Sequence, residues 1–147
     1  MKVKDVMTKK IHTVSQDTPL SQASKIMCEN NISGVPVMDG DKVVSMVTKS
    51  DIVQLSLPTA LPTISIENEF PDLLDNYIDR LKKAASEKVE RVMSPRKLIW
   101  VTPETMVAHA VLIMYANRIK RLPVLDEGYR LLGIISYSDV ADIIADS

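Results

Sequence analysis

The chain has 147 residues, enough for one domain of ordinary size with a packed core. Its composition, 46% hydrophobic and 25% charged, is typical of a globular protein and excludes the disordered and fibrous classes. A net charge of −1 attracts neither nucleic acid nor an anionic membrane surface, so we expect neither DNA nor a membrane as a partner.

Cysteine and histidine content narrows the chemistry further. Cys28 is the only cysteine, which excludes an internal disulfide and is typical of a reducing cytoplasm. With His12 and His109 it forms no metal-ligand spacing, and no serine or cysteine has a histidine partner by motif. The first residues lack a signal-peptide core, and no apolar run of about 18 residues occurs. We therefore expect a cytoplasmic protein that is not an enzyme and requires no cofactor.

The chain contains an internal repeat. "KVKDVM" at residues 2–7 returns as "KVERVM" at 88–93, and "NISGVPVMD" at 31–39 returns as "RIKRLPVLD" at 118–126. The offset between matched positions grows from 86 through 87 to 88 residues, which places single-residue insertions in loops. Internal repeats of this length indicate two copies of one supersecondary unit.

Each half begins with an extended apolar stretch that leads to a helix. Thr18-Pro19 and Thr105 predict the helix starts, because threonine is a good N-cap and proline suits the first turn. Apolar residues then recur at three- and four-residue spacing, which predicts one buried stripe per helix. The stripes are Leu20, Ala23, Ile26 and Met27 in the first half and Val107, Ala110, Ile113 and Met114 in the second.

Two apolar runs follow each helix, joined by Asp39-Gly40 in the first half and by residues 126–128 in the second. Asp-Gly between such runs predicts a hairpin, since glycine accepts the positive φ of a tight turn. A last helix begins after each hairpin, at "TKSDI" and "SYSDV". Both halves therefore read β-α-β-β-α, an α+β (α/β-like) arrangement.

The halves are separated by a linker over residues 57–86. Pro58 and Pro62 predict an irregular loop, and from Pro71 to Ala85 the apolar spacing predicts an amphipathic helix. That helix would either cover the core of its own module or contact a second subunit.

The repeated unit, with "VM(T/S)" at its start, Pro-Val-x-Asp before the hairpin and Ser/Thr-x-x-Asp after it, resembles a pair of CBS domains, or Bateman module. The resemblance implies repeats at 1–56 and 87–147, packed side by side through their sheets with pseudo-twofold symmetry, and the linker at 57–86. It also implies a homodimer formed through helices.

The Ser/Thr-x-x-Asp corners carry the chemistry. A hydroxyl at a strand end and the first amides of the next helix suit a phosphate, and the aspartate three residues on can accept hydrogen bonds from a ribose diol. The alternative is a structural capping interaction worth about 1 kcal/mol. In CBS domains these positions commonly contact adenosine ligands in a cleft between the repeats.

The resemblance implies two sites, each built from both halves. One would use Ser136, Ser138 and Asp139 for phosphate and ribose, Lys120 and Arg121 for phosphate, and His12, Ile32, Ser33 and Ile134 around the base. The other would use Thr48, Ser50 and Asp51, with Met46, Ile99 and Ile119 around the base.

Two differences between the halves predict unequal sites. Arg118, Lys120 and Arg121 match uncharged residues of the first half, which favours phosphate at the Asp139 site and leaves the Asp51 site less basic and better suited to an S-adenosyl compound. Alternatively this basic cluster is a solvated strand edge. Where the second half has the usual glycine, Gly133, the first has Ser45.

We therefore expect a regulatory module that binds AMP, ADP, ATP or an S-adenosyl compound and modulates an unidentified enzyme or transporter. The alternative is a ligand-free scaffold for protein interaction or dimerisation.

Overall fold

The computed structural model describes residues 1–57, 67 and 76–145 and has the predicted α+β order. The first half contains α1 (Val3–Val6), β1 (Val14–Ser15), α2 (Leu20–Glu29), β2 (Gly34–Asp39), β3 (Lys42–Thr48) and α3 (Lys49–Gln54). After α4 (Tyr77–Lys83) and two 3-10 turns (Ala84–Ser86 and Val89–Val92), the second half contains α5 (Val107–Asn117), β4 (Arg121–Leu125), β5 (Leu131–Ser136) and α6 (Tyr137–Ala145).

The two sheets have the same pairing. In the first, β1 runs parallel to β2, and β2 pairs antiparallel with β3. In the second, β4 pairs antiparallel with β5, and the first strand of the repeat is reduced to a single parallel bridge between Val101 and Val124. Both hairpins shift register at matched positions, Val37/Met38 and Val124/Leu125. The repeat predicted from sequence is thus a repeat of backbone geometry.

Each half has its own hydrophobic core. The predicted helix stripes face these cores: Leu20, Ala23 and Met27 are buried in the first, and Ala110 and Met114 in the second. The strands supply alternate side chains, which are Val35, Val37 and Val47 in the first half and Leu122, Val124 and Ile135 in the second.

The leading segment of each repeat, residues 1–8 in the first and 87–94 in the second, packs against the core of the other repeat. Val3 is fully buried in the second core and Val89 in the first. The backbone follows the same exchange, since the Leu20 N–H donates to the Glu87 carbonyl at 2.8 Å and the Val107 N–H donates to the Met1 carbonyl at 3.0 Å. The exchanged segments therefore join the halves through both core packing and hydrogen bonds.

The predicted helix caps are wrong because of this exchange. Thr18 does not cap α2; its Oγ1 accepts a hydrogen bond from the Ser15 N–H at 2.9 Å and closes the turn before the helix. Thr105 Oγ1 likewise accepts from the Thr102 N–H at 3.1 Å. The prediction failed because the first amide of each helix finds its acceptor in the leading segment of the other repeat, a contact that local sequence does not reveal.

The two hairpin turns differ in which residue has a positive φ. Gly40 has the expected positive φ of 60°. In the second turn the positive φ of 63° falls on Tyr129, and Gly128 instead donates its N–H to Asp126 Oδ1 at 2.8 Å. An aspartate that accepts from the backbone two residues on forms an Asx turn, which does not require the glycine to adopt a left-handed conformation.

The linker helix lies on the first repeat. Leu81 packs against the first core, and the Tyr77 hydroxyl donates to the Val53 carbonyl at 2.5 Å, whereas Ile78 is exposed. These contacts favour the interpretation that the helix covers its own module. The predicted loop at Pro58 and Pro62, and the predicted helix start at Pro71, lie outside the described residues.

Ion pairs connect the leading segment of the first repeat to the turn before α5. Lys2 and Lys4 both donate to Glu104, the latter at 2.8 Å. These hydrogen bonds, from Lys2 first and Lys4 second, lower the pKa of the Glu104 carboxyl from 4.5 to about 2. All three side chains are exposed, so solvent and salt screen the cluster and its contribution to stability is small.

Replacing Val89 by alanine is expected to lower the free energy of unfolding by about 2 kcal/mol, because a fully buried valine is truncated in a core that cannot fully collapse around the gap. Urea denaturation measures this change. The matched control is Val53→Ala, since Val53 is 49% exposed and its truncation should change stability by no more than about 0.5 kcal/mol. Equal losses would contradict the assignment of Val89 to the first core.

Glu104→Gln is expected to lower the melting temperature slightly at neutral pH, with the difference from the parent protein disappearing in acid. The folded pKa lies below the unfolded value, so the ionised carboxyl stabilises the fold above pH 4.5 and this stabilisation is lost as the pH falls toward 2. Thermal melts at several acidic pH values test the trend. Glu127→Gln is the control, because Glu127 is exposed and forms no ion pair with another described residue. A difference that persists unchanged in acid would exclude this cause.

Candidate ligand-binding clefts

Both Ser/Thr-x-x-Asp corners form the local capping interaction. Thr48 ends β3; its N–H donates to Asp51 Oδ2 at 2.8 Å, and its Oγ1 accepts from the Asp51 N–H at 3.1 Å. Ser136 ends β5, and its N–H and hydroxyl donate to Asp139 Oδ2 at 2.8 and 3.0 Å. The structural interpretation of the motif is therefore correct, but it uses only one oxygen of each carboxylate.

The second carboxylate oxygens differ. Asp139 Oδ1 accepts a hydrogen bond from the Thr8 hydroxyl at 2.8 Å, which uses one of its two lone pairs. No other described residue donates to Asp51 Oδ1. Asp51 Oδ1 is therefore the less engaged of the two acceptors for a ligand hydroxyl.

Each corner opens into a cleft between the two repeats. The cleft at Asp139 has a volume of about 320 Å³, and the cleft at Asp51 about 860 Å³. We call these the Asp139 cleft and the Asp51 cleft. Both volumes fall in the range of about 300–1,000 Å³ that is usual for small-molecule sites.

The structure brings every predicted site residue to one of these clefts, as the pairing of the repeats implied. The Asp139 cleft is lined by Ser136, Ser138, Asp139, His12, Ile32, Ser33 and Ile134. The Asp51 cleft is lined by Thr48, Ser50, Asp51, Met46, Ile99 and Ile119. Lys120 and Arg121 line both. Polar corners thus face apolar side chains across each cleft, the combination typical of a ligand pocket.

The predicted charge difference between the sites is wrong. The sequence assigned the cluster of Arg118, Lys120 and Arg121 to the Asp139 site, but all three residues line the Asp51 cleft, and Arg118 does not line the other. The Asp51 cleft also includes cations that the motif comparison missed, namely Lys49, Arg96 and Lys97. The Asp51 cleft is therefore the more basic one.

A sequence signal for the missed cations exists. "TKK" follows Met7 in the first half and "SPRK" follows Met93 in the second, so basic residues recur after the matched methionines. The first segment places Thr8 and Lys10 in the Asp139 cleft, and the second places Arg96 and Lys97 in the Asp51 cleft. The repeat could therefore have indicated these basic segments, which the family motif did not cover.

Arg121 lies where the repeats meet. Its guanidinium Nη2 donates to Ser33 Oγ at 2.6 Å, and its side chain crosses Gly34, where a Cβ would stand 2.6 Å from Arg121 Cδ. Gly34 is the first-half counterpart of Arg121, so the absent side chain of one leaves room for the other. Burial lowers the pKa of Arg121 while Asp51 acts in the opposite direction, but a guanidinium remains charged at neutral pH.

The clefts differ at the matched positions Gly133 and Ser45. At Gly133 a Cβ would lie 2.8 Å from the Thr8 carbonyl, and this space lets Thr8 and Ile134 exchange backbone hydrogen bonds of 2.8 and 3.0 Å. The side chain of Ser45 is buried at the matched position, and no bridge joins Ser94 to β3 within the described residues. The leading segment of the first repeat is therefore bridged to β5 beside the Asp139 cleft. Among the described residues, the leading segment of the second repeat forms no such bridge to β3 beside the Asp51 cleft.

The described residues contain neither a metal-binding cluster nor a membrane-spanning helix. Over the ranges 1–57 and 76–145, no cluster of three or more histidine, cysteine, aspartate or glutamate side chains is arranged to hold a metal ion. His12 lines the Asp139 cleft without such neighbours. No helix within the same ranges is both long and apolar enough to cross a bilayer.

The fold and the clefts define a duplicated module with two inter-repeat pockets. The model of the CBS domain family matches residues 3–58 and 89–146. The chain belongs to the CBS domain family and is a tandem CBS protein, as the sequence motifs predicted.

Similar proteins cover nearly the whole chain. Protein MJ1426 of Methanocaldococcus jannaschii is 34% identical over 155 residues, covering 98% of this chain and 91% of its own length. CBSX2, solved in complex with AMP, superposes with a TM-score of 0.70 at 25% identity, covering 99% of this chain and 96% of CBSX2. The CBS domain pair of MJ0100, solved with 5′-methylthioadenosine and S-adenosyl-L-methionine, superposes with a TM-score of 0.72 at 22% identity, covering 99% and 97%.

Gly133→Ala is expected to lower the free energy of unfolding by about 1–3 kcal/mol, because the new Cβ meets the Thr8 backbone rather than a flexible side chain. Chemical denaturation measures the loss. Gly128→Ala is the matched control: its Cβ would approach only Asp126 Oδ1, at 3.4 Å, so the change should stay within about 0.5 kcal/mol. If the two variants were equally stable, the close approach of the leading segment to β5 would be refuted.

Proposed function

We propose that this chain is a regulatory module that binds an adenosine-containing ligand between its CBS repeats and so modulates a partner protein. AMP, ADP, ATP and S-adenosyl compounds are the candidate ligands. The observation that carries the proposal is the position of the corners: both aspartates line clefts that also contain cations and apolar side chains from the opposite repeat.

Each part of such a ligand has a complementary group in the clefts. A ribose diol suits Asp51, whose Oδ1 receives no hydrogen bond from another described residue. Phosphate suits Lys120 and Arg121, because a cation beside a phosphate oxygen forms a charge-assisted hydrogen bond. The planar base suits the apolar walls, which are Met46, Ile99 and Ile119 in one cleft and Ile32 and Ile134 in the other.

The similarity to CBSX2 supports an adenine nucleotide. CBSX2 binds AMP in its solved complex, and its likeness extends over 99% of this chain. We therefore propose AMP-type recognition here.

Binding would report ligand level through the geometry of the repeats. A ligand held by residues of both halves favours the arrangement in which those residues converge, and it shifts the population only by its difference in affinity for the two arrangements. The groups in the clefts bind and neutralise a ligand, so we propose binding without catalysis or a required cofactor.

The proposed partners are a second copy of the chain and an enzyme or transporter that receives the signal. Several large apolar side chains on the outer helix faces are exposed: Leu112 at 62%, Tyr115 at 77% and Ile144 at 77%. Burial of such side chains stabilises association, which supports a homodimer formed through helices. The exposed Cys28 fits a reducing cytoplasm, and the net charge of −1 argues against DNA.

Adenine nucleotides are expected to raise the melting temperature of the purified protein, because a ligand bound only to the native state stabilises it by about 2.7 kcal/mol at 100 times its Kd. Asp51→Asn should weaken binding about tenfold or more, since it removes the charge from the ribose acceptor and retains an oxygen for the Thr48 N–H. Thermal-shift titrations with adenosine, AMP, ATP and S-adenosylmethionine test both statements. Asp41→Asn, in the exposed first hairpin turn, is the control.

If millimolar concentrations of all these ligands left the melting temperature unchanged, the ligand-sensing proposal would fail. The exposed helix faces would then favour the alternative, a ligand-free scaffold for protein interaction.

A further inference from the structure

The two clefts differ in charge in the opposite sense to the one predicted from the sequence. Lysine and arginine side chains line the Asp51 cleft at Lys49, Arg96, Lys97, Arg118, Lys120 and Arg121. The lysines and arginines that line the Asp139 cleft are Lys10, Lys120 and Arg121. Each cleft has one lining carboxylate, its corner aspartate, so the excess of positive charge is larger at Asp51.

Most of these cations have no ion-pair partner among the residues that the structure describes. Lysines elsewhere do pair: Lys2 and Lys4 with Glu104, and Lys88 with Asp17 at 3.1 Å. Arg96, Lys97 and Arg118 form no such pair with any residue of 1–57 or 76–145. Clustered like charges repel each other, and a bound polyanion relieves that repulsion.

The shape of the clefts points in the same direction. The Asp51 cleft is larger, about 860 Å³ against about 320 Å³. At the Asp139 cleft, Gly133 admits the leading segment of the first repeat against β5, and its counterpart at the Asp51 cleft is Ser45. The segment after Met93 forms no matching bridge to β3, and its Arg96 and Lys97 line the widened cleft.

We propose that the Asp51 cleft is the site for a nucleoside polyphosphate, and that the Asp139 cleft takes a ligand with at most one phosphate. This inference rests on the proposed function and adds the ligand class of each cleft. In the Asp51 cleft Asp51 receives the ribose, and the polyphosphate is neutralised by Arg96, Lys97 and Arg118. The smaller Asp139 cleft, whose carboxylate already accepts from Thr8, has neither the room nor the charge for the longer tail.

The test is a series of titrations of the full chain with adenosine, AMP, ADP and ATP. Isothermal titration calorimetry measures the affinity for each ligand. For the parent protein the affinity of the site that is sensitive to Asp51→Asn should rise with each added phosphate. The double variant Arg96→Gln/Lys97→Gln should weaken ATP about 100-fold, at about tenfold for each lost charge-assisted contact, and AMP by no more than about threefold. The ATP affinity should also fall more steeply with added salt than the AMP affinity.

The matched control is Lys82→Gln/Lys83→Gln, which removes the same net charge from exposed positions on α4 that line neither cleft. It should leave all four affinities within about twofold of the parent. A general effect of net charge would appear equally in both double variants.

Three results would overturn the inference. They are an equal loss of AMP and ATP affinity in the Arg96/Lys97 variant, no loss of either, or a loss of ATP binding caused by Asp139→Asn but not by Asp51→Asn. In all three the nucleotides still bind, so the proposed function survives. Only the absence of binding by every adenosine ligand to the parent protein would end both proposals together.

Discussion

The exchange of leading segments between the repeats is the contact on which the rest of the structure depends. Val3 and Val89 are fully buried, each in the core of the opposite repeat, and the segments also provide acceptors for the first amides of α2 and α5. Neither half has a complete core or satisfied helix starts without the other. The two sheets are consequently held side by side, and the clefts between them exist because the halves cannot separate without exposing this apolar surface.

Small residues at two matched positions break the symmetry that the duplication created. Gly34 leaves space for the side chain of Arg121, its counterpart, so one guanidinium lies between the clefts where two side chains would collide. Gly133 allows Thr8 to pair with Ile134, whereas Ser45 has no such bridge among the described residues. A duplicated backbone thus carries two pockets of unequal size and charge, and the two glycines mark the places where its halves differ in packing.

The order of elements, the buried helix stripes and the cleft residues that belong to the repeated motif could be predicted, because each follows from periodicity or from a motif that occurs twice. The helix caps could not be, since the acceptor for α2 is the Glu87 carbonyl, which lies far away in sequence. The prediction of which cleft is more basic was wrong for a similar reason. Lys120 and Arg121 lie on the boundary and line both pockets, and Arg96 reaches the Asp51 cleft only because the repeats pack across each other.

Capping and ligand recognition do not exclude each other at the Ser/Thr-x-x-Asp corners, because a carboxylate has two oxygens. At both corners Oδ2 accepts the capping hydrogen bonds, which leaves acceptor capacity on Oδ1. A ligand hydroxyl that binds Oδ1 of Asp139 would share this oxygen with the Thr8 hydroxyl, and Thr8 belongs to the segment that anchors the first repeat to the second core. A ligand in the Asp139 cleft would therefore contact the segment that joins the halves, whereas Oδ1 of Asp51 accepts no hydrogen bond from another described residue.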